Sequence, residues 1–239
     1  MTILLLAVAI APGIAIAIYV YKRDKYEKEP LGLLVKCFVF GALAGFPAGF
    51  AEDFTFELLG IDLDAPTDLF TAFYAAFFLV GFTEESVKYW VLTRYAFSKP
   101  AFNEPFDGIV YSVMIGLGFA TLENVFYVMD GGWGVAALRM FTAVPMHAVF
   151  GVLMGYYVGI AKFQHASHRM NSLIKGLGFA ILLHGSYDFV LFQNATSELT
   201  KIILIVPLII FGIIISLKAI RAHSDASPFK NQDPADPDQ

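Results

Sequence analysis

The chain has 239 residues, of which 57% are hydrophobic and 15% charged, and its mean hydropathy is +0.65. Soluble domains lie near about 45–50% apolar and about 25% charged residues, so this composition excludes an ordinary soluble domain and indicates several membrane-spanning helices. The formal net charge of −5 comes without a basic patch, so no nucleic-acid partner is expected. A single cysteine, Cys37, excludes an intramolecular disulfide.

Seven apolar runs of about 20 residues match the roughly 30 Å thickness of a hydrocarbon core. They predict an all-α, polytopic transmembrane bundle, because a helix satisfies its own backbone groups in lipid. The predicted spans are residues 3–21, 31–50, 69–92, 108–129, 138–161, 174–193 and 200–219. The first run lacks the basic start and the cleavage site of a signal peptide, so we expect it to be retained as a helix.

Lys and Arg concentrate in alternate connections between these spans. The first, third and fifth connections and the C-terminal tail carry them, whereas residues 51–68 carry six acidic residues and no basic one. By the positive-inside rule, the N-terminus lies outside and the C-terminus in the cytoplasm. Residues 1–222 are predicted to form one membrane-embedded domain, and the Pro- and Asp-rich residues 223–239 to form a disordered cytoplasmic tail.

Four consecutive predicted spans, the third to the sixth, carry polar side chains at membrane depth. A charge at the bilayer centre costs at least about 2.5–3.5 kcal/mol, so these residues are expected to face one another in an interior site. They are Glu84, Glu85, Lys88, Glu123, Asn124, His147, His184 and Asp188. The first, second and seventh spans carry no such residue at their centres.

Helical spacing supports this convergence. Glu84 and Lys88 are four residues apart on one helix face and can form an ion pair. His184 and Asp188 have the same spacing, so the aspartate can orient the imidazole. Structural alternatives remain: the Glu84–Lys88 pair could fix helix packing, and an intramembrane histidine can be purely structural. Asn124 could equally form an interhelical hydrogen bond.

Small residues precede Glu123 in the fourth span. Gly116, Gly118 and Ala120 predict that a neighbouring helix packs closely beside this carboxylate. Phe119 is four residues before Glu123 and is predicted to form a wall of the site.

Buried carboxylates and imidazoles can activate water for attack on an amide carbonyl and stabilise the resulting oxyanion. Glu85, Glu123, His147 and His184 are also acceptable zinc ligands. The HExxH signature is absent, so zinc is permitted but not indicated, and both mechanisms stay open. No GxSxG elbow is present and Asp188 is the only central aspartate, which disfavours serine and paired-aspartate hydrolases.

Five segments resemble the PrsW family of intramembrane proteases. Glu84–Lys88 (EESVK) resembles the family's EExxK motif, Phe119–Asn124 (FATLEN) its FxxxEN motif, and His184–Asp188 (HGSYD) its HxxxD motif. Asn103–Tyr111 looks like the connection before the second motif, and Pro145–Gly151 looks like the fifth-span signature. Each motif is short, but in this order on successive predicted helices they are specific.

The resemblance implies a bacterial enzyme of the cytoplasmic membrane, related to the CAAX prenyl endopeptidases. Such an enzyme cuts membrane-anchored proteins, including anti-sigma factors. The resemblance also implies five candidate catalytic residues, Glu84, Glu85, Glu123, His147 and His184. Lys88, Asn124 and Asp188 are expected to support them. Whether the mechanism is of the glutamate type or depends on a metal such as zinc stays open.

Two other functions fit the helix count. A proton-coupled transporter or channel component would also use intramembrane Glu and His residues. Transporters commonly show internal repeats, and none is detected here. A membrane receptor would give no reason for several buried carboxylates. The sequence therefore favours an intramembrane peptidase.

Overall fold

A computed structural model of the protein describes residues 2–63, 65 and 68–230. Asp64 of the acidic second connection and residues 231–239 of the predicted tail lie outside these ranges. Within the described residues the chain is all-helical and contains no β-strand, which confirms the predicted fold class.

Eight α-helices follow one another in these ranges. They are α1 Thr2–Arg23, α2 Leu31–Leu59, α3 Leu69–Tyr74, α4 Phe82–Val91, α5 Pro105–Phe141, α6 Ala143–Phe163, α7 Ala166–Phe192 and α8 Glu198–Asp225. Two π-helical segments, Ala75–Gly81 and Leu92–Ala96, flank α4. A π-helix closes its hydrogen bonds one residue later than an α-helix and often marks a functional position.

Five helical stretches of the described chain are long and apolar enough to cross a membrane. They are Ile3–Arg23, Leu31–Leu59, Pro105–Phe163, Ala166–Phe192 and Glu198–Asp225. The third predicted span falls on the helix that the π segments interrupt, and the fourth and fifth share the stretch Pro105–Phe163. A multi-span bundle is therefore confirmed, whereas the count of seven and the orientation of the termini stay predictions.

Helices α5 and α6 form the centre of the bundle. In their most apolar window 78% of the residues are buried, against 17% in α8. The other long helices pack around them and expose large apolar side chains such as Phe50 and Phe211. Exposed apolar faces of this extent suit contact with lipid.

Glycines set how closely the helices approach beside Glu123. A Cβ atom at Gly118 would lie 1.9 Å from the carbonyl oxygen of Phe38 on α2, and one at Gly116 would lie 3.0 Å from the carbonyl oxygen of His147 on α6. Only glycine fits at Gly118, so the predicted close helix crossing is confirmed.

The backbone of α5 is interrupted at Gly132, where φ is 67° and ψ is −152°. These dihedrals lie in a region that glycine reaches without a Cβ penalty. The chain therefore changes direction at Gly132, and the segment after it packs back towards the first part of α5.

Two predicted spans, 31–50 and 200–219, end before the helices that contain them. The second span was expected to end at residue 50, but α2 continues to Leu59 and ends at Gly60, whose φ of 64° provides a left-handed cap. Glu52 and Asp53 therefore lie on a helix and not in a loop. The last helix continues to Asp225, so the tail predicted from residue 223 begins with helical residues. His223 is buried, and its Nδ1 lies 3.0 Å from the carbonyl oxygen of Pro105.

Candidate active site

The first part of the site is a cluster of two carboxylates and one ammonium group on α4, directly after the first π segment. Lys88 Nζ lies 2.9 Å from Glu84 Oε2 and 2.8 Å from Glu85 Oε1. All three residues are buried, at 4% exposure or less. The predicted ion pair thus includes both glutamates, because positions i−3 and i−4 lie on the same helix face as the lysine.

His184 on α7 joins this cluster. Its Nδ1 lies 2.9 Å from Glu85 Oε1, and its Nε2 lies 3.1 Å from Asp188 Oδ2. The aspartate is therefore placed where spacing predicted it. The approach of α7 depends on small residues: a Cβ at Gly185 would meet the ring of Phe77 at 2.5 Å.

Glu123 and His147 supply the other half of the site, from α5 and α6. His147 Nε2 lies 2.9 Å from Glu123 Oε2, and His147 Nδ1 lies 3.0 Å from Lys88 Nζ. The imidazole therefore connects the cluster on α4 to the glutamate on α5. The rings of His147 and His184 are 5.3 Å apart, and Phe150 stacks on His184 at 4.6 Å between centroids.

Arg139 is a member of the site that the sequence analysis did not select. Its Nη2 lies 2.9 Å from Glu123 Oε1, and its Nε donates to Asn124 Oδ1 at 3.0 Å. A straight helix would separate residues 123 and 139 by about 24 Å, so the interruption at Gly132 makes these contacts. Sequence spacing carries no signal for such a return.

Asn124 contacts α1 as well as Arg139. Its Nδ2 donates to the carbonyl oxygen of Ala9 on α1 at 2.7 Å, and the residue is fully buried. The structure therefore supports the interhelical hydrogen bond that was one of its two predicted roles.

A cavity of about 700 Å³ opens beside these groups, within the size range of ligand pockets. Glu84, Glu123, His147, His184 and Asp188 line it, together with Arg139 and Phe119. Glu85 and Lys88 do not line the cavity and lie behind this surface. Phe119 forms a wall, as predicted.

Two acidic residues of α2, Glu52 and Asp53, also line the cavity. Glu52 Oε1 is buried and has no hydrogen-bond partner. The sequence analysis placed both in a connection because α2 was predicted to end at residue 50. A signal was present, since residues 50–59 contain no Gly or Pro and Gly60 is the first helix breaker after Gly49.

Three of these side chains fit a metal ion. Glu84, His147 and His184 are all buried and offer ligand atoms that lie within 4.8 Å of one another. Two imidazoles and one carboxylate form a donor set of catalytic zinc sites, which keep a fourth position open. Lys88 Nζ lies 2.9 Å from Glu84 and 3.0 Å from His147, so its ammonium group neutralises part of the same donor set.

Comparison with known proteins identifies relatives along most of the chain. The sequence model described as "PrsW family intramembrane metalloprotease" matches residues 29–215. The Protease PrsW of Bacillus subtilis (strain 168) is 37% identical over 187 residues, which cover 78% of this chain and 82% of the relative. The Protease PrsW of Oceanobacillus iheyensis is 34% identical over 207 residues, covering 86% of this chain and 92% of the relative. No solved structure matches the chain.

The matched residues 29–215 include every polar group of the site. This similarity supports a peptidase over the transporter and the receptor that the helix count also allowed. It also confirms the family that the motifs indicated. Relatives of this extent and identity show that the chain belongs to the PrsW family of intramembrane proteases.

Proposed function

We propose that the protein hydrolyses peptide bonds of membrane-anchored proteins at the cavity lined by Glu84, His147 and His184. The observation that carries this proposal is the convergence of one carboxylate and two imidazoles, within 4.8 Å, on the wall of a cavity of about 700 Å³. A cavity of this size accommodates several residues of an extended peptide, and its wall holds the groups that hydrolysis needs.

In this proposal Glu84 is the group that activates water. Spacing alone left Glu84 and Glu85 equivalent, but only Glu84 lines the cavity. The Glu85 carboxylate is occupied by Lys88 at 2.8 Å and by His184 at 2.9 Å. Glu85 is therefore proposed to hold the imidazole in place, together with Asp188.

The remaining groups act on the attacked carbonyl and on the charge balance. His147 contacts Glu123 and Lys88, and it is proposed to donate a proton or a hydrogen bond as the tetrahedral intermediate forms. Arg139 pairs with Glu123 and is proposed to balance the charge of this glutamate beside the imidazole. Lys88 balances the negative charge of Glu84 and Glu85.

The same side chains are proposed to hold a catalytic metal ion if the mechanism is metal-dependent. Glu84, His147 and His184 would then be the ligands, and the contacts of Glu85 with His184 Nδ1 and of Glu123 with His147 Nε2 would orient the two imidazoles. A zinc ion would lower the pKa of a bound water and polarise the scissile carbonyl. The protein would still supply the orientation of both imidazoles and the shape of the cavity.

The substrate and the membrane topology complete the proposal. The acidic side chains of Glu52 and Asp53 on the cavity wall favour a substrate segment with a basic residue near the cleaved bond. Anti-sigma factors are proposed as substrates on the basis of the motif resemblance alone. One domain over residues 1–222 is proposed to cross a bacterial cytoplasmic membrane seven times, with the N-terminus outside.

The test compares new protein N-termini in host membranes that contain the wild type, Glu84→Gln or Glu57→Gln at matched expression. Glu57 is an exposed carboxylate on α2 and does not line the cavity, so its variant is the matched control. We expect fragments that begin beside a membrane anchor with the wild type and the control. Glu84→Gln should reduce them at least about 100-fold. Full cleavage by folded Glu84→Gln would contradict the assignment.

A second measurement separates the two mechanisms. The purified protein is dialysed against a chelator, its metal content is measured, and cleavage of an identified substrate is followed before and after zinc is added. Loss of cleavage that zinc restores assigns the metal-dependent mechanism. Full cleavage by metal-free protein assigns the glutamate mechanism.

A further inference from the structure

A second cluster of carboxylates lies at the other end of α5, where two connections pack against the start of this helix. Asp24 and Glu29 come from the α1–α2 connection, Glu104 precedes α5, and Asp107 is in its first turn. All four are at most 2% exposed. Glu27 is half-buried beside them. Five acidic side chains from three segments are therefore gathered in one place.

Hydrogen bonds satisfy only part of this cluster. Asp107 Oδ2 accepts from the backbone N–H groups of Asn103 and Glu104, at 2.7 and 2.8 Å. Glu29 Oε2 accepts from the hydroxyl group of Tyr111. The oxygens that are buried and have no partner are Asp24 Oδ1, Glu27 Oε2, Glu29 Oε1, Glu104 Oε2 and Asp107 Oδ1.

Among the described residues, no lysine or arginine nitrogen lies within ion-pair distance of these oxygens. The charges of Lys28 and Lys162 act on Asp24 and Asp107 only from a longer distance. Lys28 is the nearest lysine in sequence, but its ammonium group donates to the backbone carbonyls of Tyr21 and Asp24. Lys162 donates to the carbonyl of Phe97. Across the residues that the structure covers, none of the five carboxylates forms an ion pair. A buried carboxylate without a counter-ion is costly, so a compensating charge is required.

The geometry points to a site for a divalent cation with hard oxygen ligands, Mg²⁺ or Ca²⁺, held by Glu27, Glu29 and Asp107. One carboxylate oxygen from each of these residues lies within 4.8 Å of the others. Carboxylates are the ligands that both ions prefer. The free oxygens of Asp24 and Glu104 supply further negative charge beside the three ligands.

This site is separate from the candidate active site. Asp107 and Glu123 are 16 residues apart on α5, which is about 24 Å along a helix. The cation would join the α1–α2 connection to the first turn of α5. Its role is to fix the connection Asp24–Pro30 against the central helix, and it does not depend on the proposed peptidase activity.

Protons are the competing way to neutralise the cluster. Burial raises the pKa of Glu29 to about 10, and its carboxyl group lies within hydrogen-bonding reach of Asp107. A proton shared between Glu29 and Asp107 would remove part of the negative charge. It would not produce specific, saturable binding of a divalent cation, so ion titrations distinguish the two cases.

The test uses the full chain in detergent in a Glu84→Gln background, so that an ion at the active site does not contribute. The protein is dialysed against a chelator, and its unfolding temperature Tm is measured against MgCl₂, CaCl₂ and KCl at equal ionic strength. We expect a saturable rise in Tm with MgCl₂ or CaCl₂, of at least about 5 °C at a hundredfold excess over Kd, and none with KCl.

Two variants assign the effect to this cluster. Glu27→Gln, at a half-buried position, is expected to fold and to raise the apparent Kd of the ion at least tenfold. The double variant Glu27→Gln, Glu29→Gln should abolish the rise in Tm. Glu198→Gln is the control, because the Glu198 side chain is 85% exposed on α8. The proposal is overturned if neither ion raises Tm in the parent protein, or if Glu27→Gln leaves the apparent Kd unchanged.

Discussion

The contact between Arg139 and Glu123 gives the sharpest quantitative prediction. The two charged groups are 2.9 Å apart, and their side chains are 13% and 21% exposed. At that distance and an effective dielectric constant of about 20, their Coulomb attraction is about 6 kcal/mol. Removal of both ions from water offsets most of this attraction. We expect a net coupling of about 1–3 kcal/mol, between the values of surface and fully buried pairs.

A double-mutant cycle measures this coupling. Arg139→Met, Glu123→Gln and the double variant are unfolded by heat or denaturant in detergent, and the free energies of unfolding are compared with the wild type. Arg139→Met also removes the hydrogen bond to Asn124, but this loss occurs in both arms of the cycle and cancels. Because each single variant already loses the ion pair, the double variant should lose less free energy of unfolding than the sum of the two single losses. Losses that add to within about 0.5 kcal/mol would refute the ion-pair role.

Four further substitutions, one of them a control, test the packing and the site. Gly118→Ala places a Cβ 1.9 Å from the carbonyl oxygen of Phe38 and should lower the free energy of unfolding by about 1–3 kcal/mol. Gly178→Ala is the control, because a Cβ there would have no atom within 4 Å; it should preserve the free energy of unfolding or raise it by about 0.5–1 kcal/mol. Equal Tm values for the two alanine variants would contradict the close crossing at Gly118. Lys88→Met leaves two buried carboxylates without their shared cation, so we expect a loss of about 3–5 kcal/mol and of cleavage, and an unchanged Tm would contradict that role. Asn124→Leu breaks the hydrogen bond to α1 and should cost about 1–3 kcal/mol while cleavage persists; loss of cleavage at full stability would make Asn124 a site residue.

The convergence of the polar side chains at the candidate site could be predicted from the sequence because its causes are local. Polar side chains in apolar helices must face the protein interior, and helical spacing then places His184 beside Asp188 and Glu84 beside Lys88. The close crossing at Gly118 was predictable for the same reason, since small residues on one face admit a neighbouring backbone.

The remaining features depend on where the chain turns and on how far its helices extend. Arg139 reaches Glu123 only because Gly132 interrupts α5. The sequence contains many glycines and does not show that the chain changes direction at this one. Glu52 was assigned to a connection because an apolar run ends before its helix does. Hydropathy measures where lipid contact ends, whereas a helix continues until a residue such as Gly60 caps it.

The two acidic clusters along α5 show how the same electrostatic requirement is met in different ways. At the candidate active site four acids have charged partners within the chain: Lys88 pairs with Glu84 and Glu85, Arg139 pairs with Glu123, and His184 contacts Glu85 and Asp188. Glu52 on the cavity wall has no such partner. A network of this kind lowers the free-energy cost of holding several carboxylates away from bulk water. Around Asp107 at the start of the helix, the chain provides acids without such partners. If the ion-pair network explains why the glutamates tolerate burial, the same reasoning requires an external cation or shared protons for the second cluster. The ion titration on the Glu84→Gln protein therefore decides between these two ways of neutralising the second cluster.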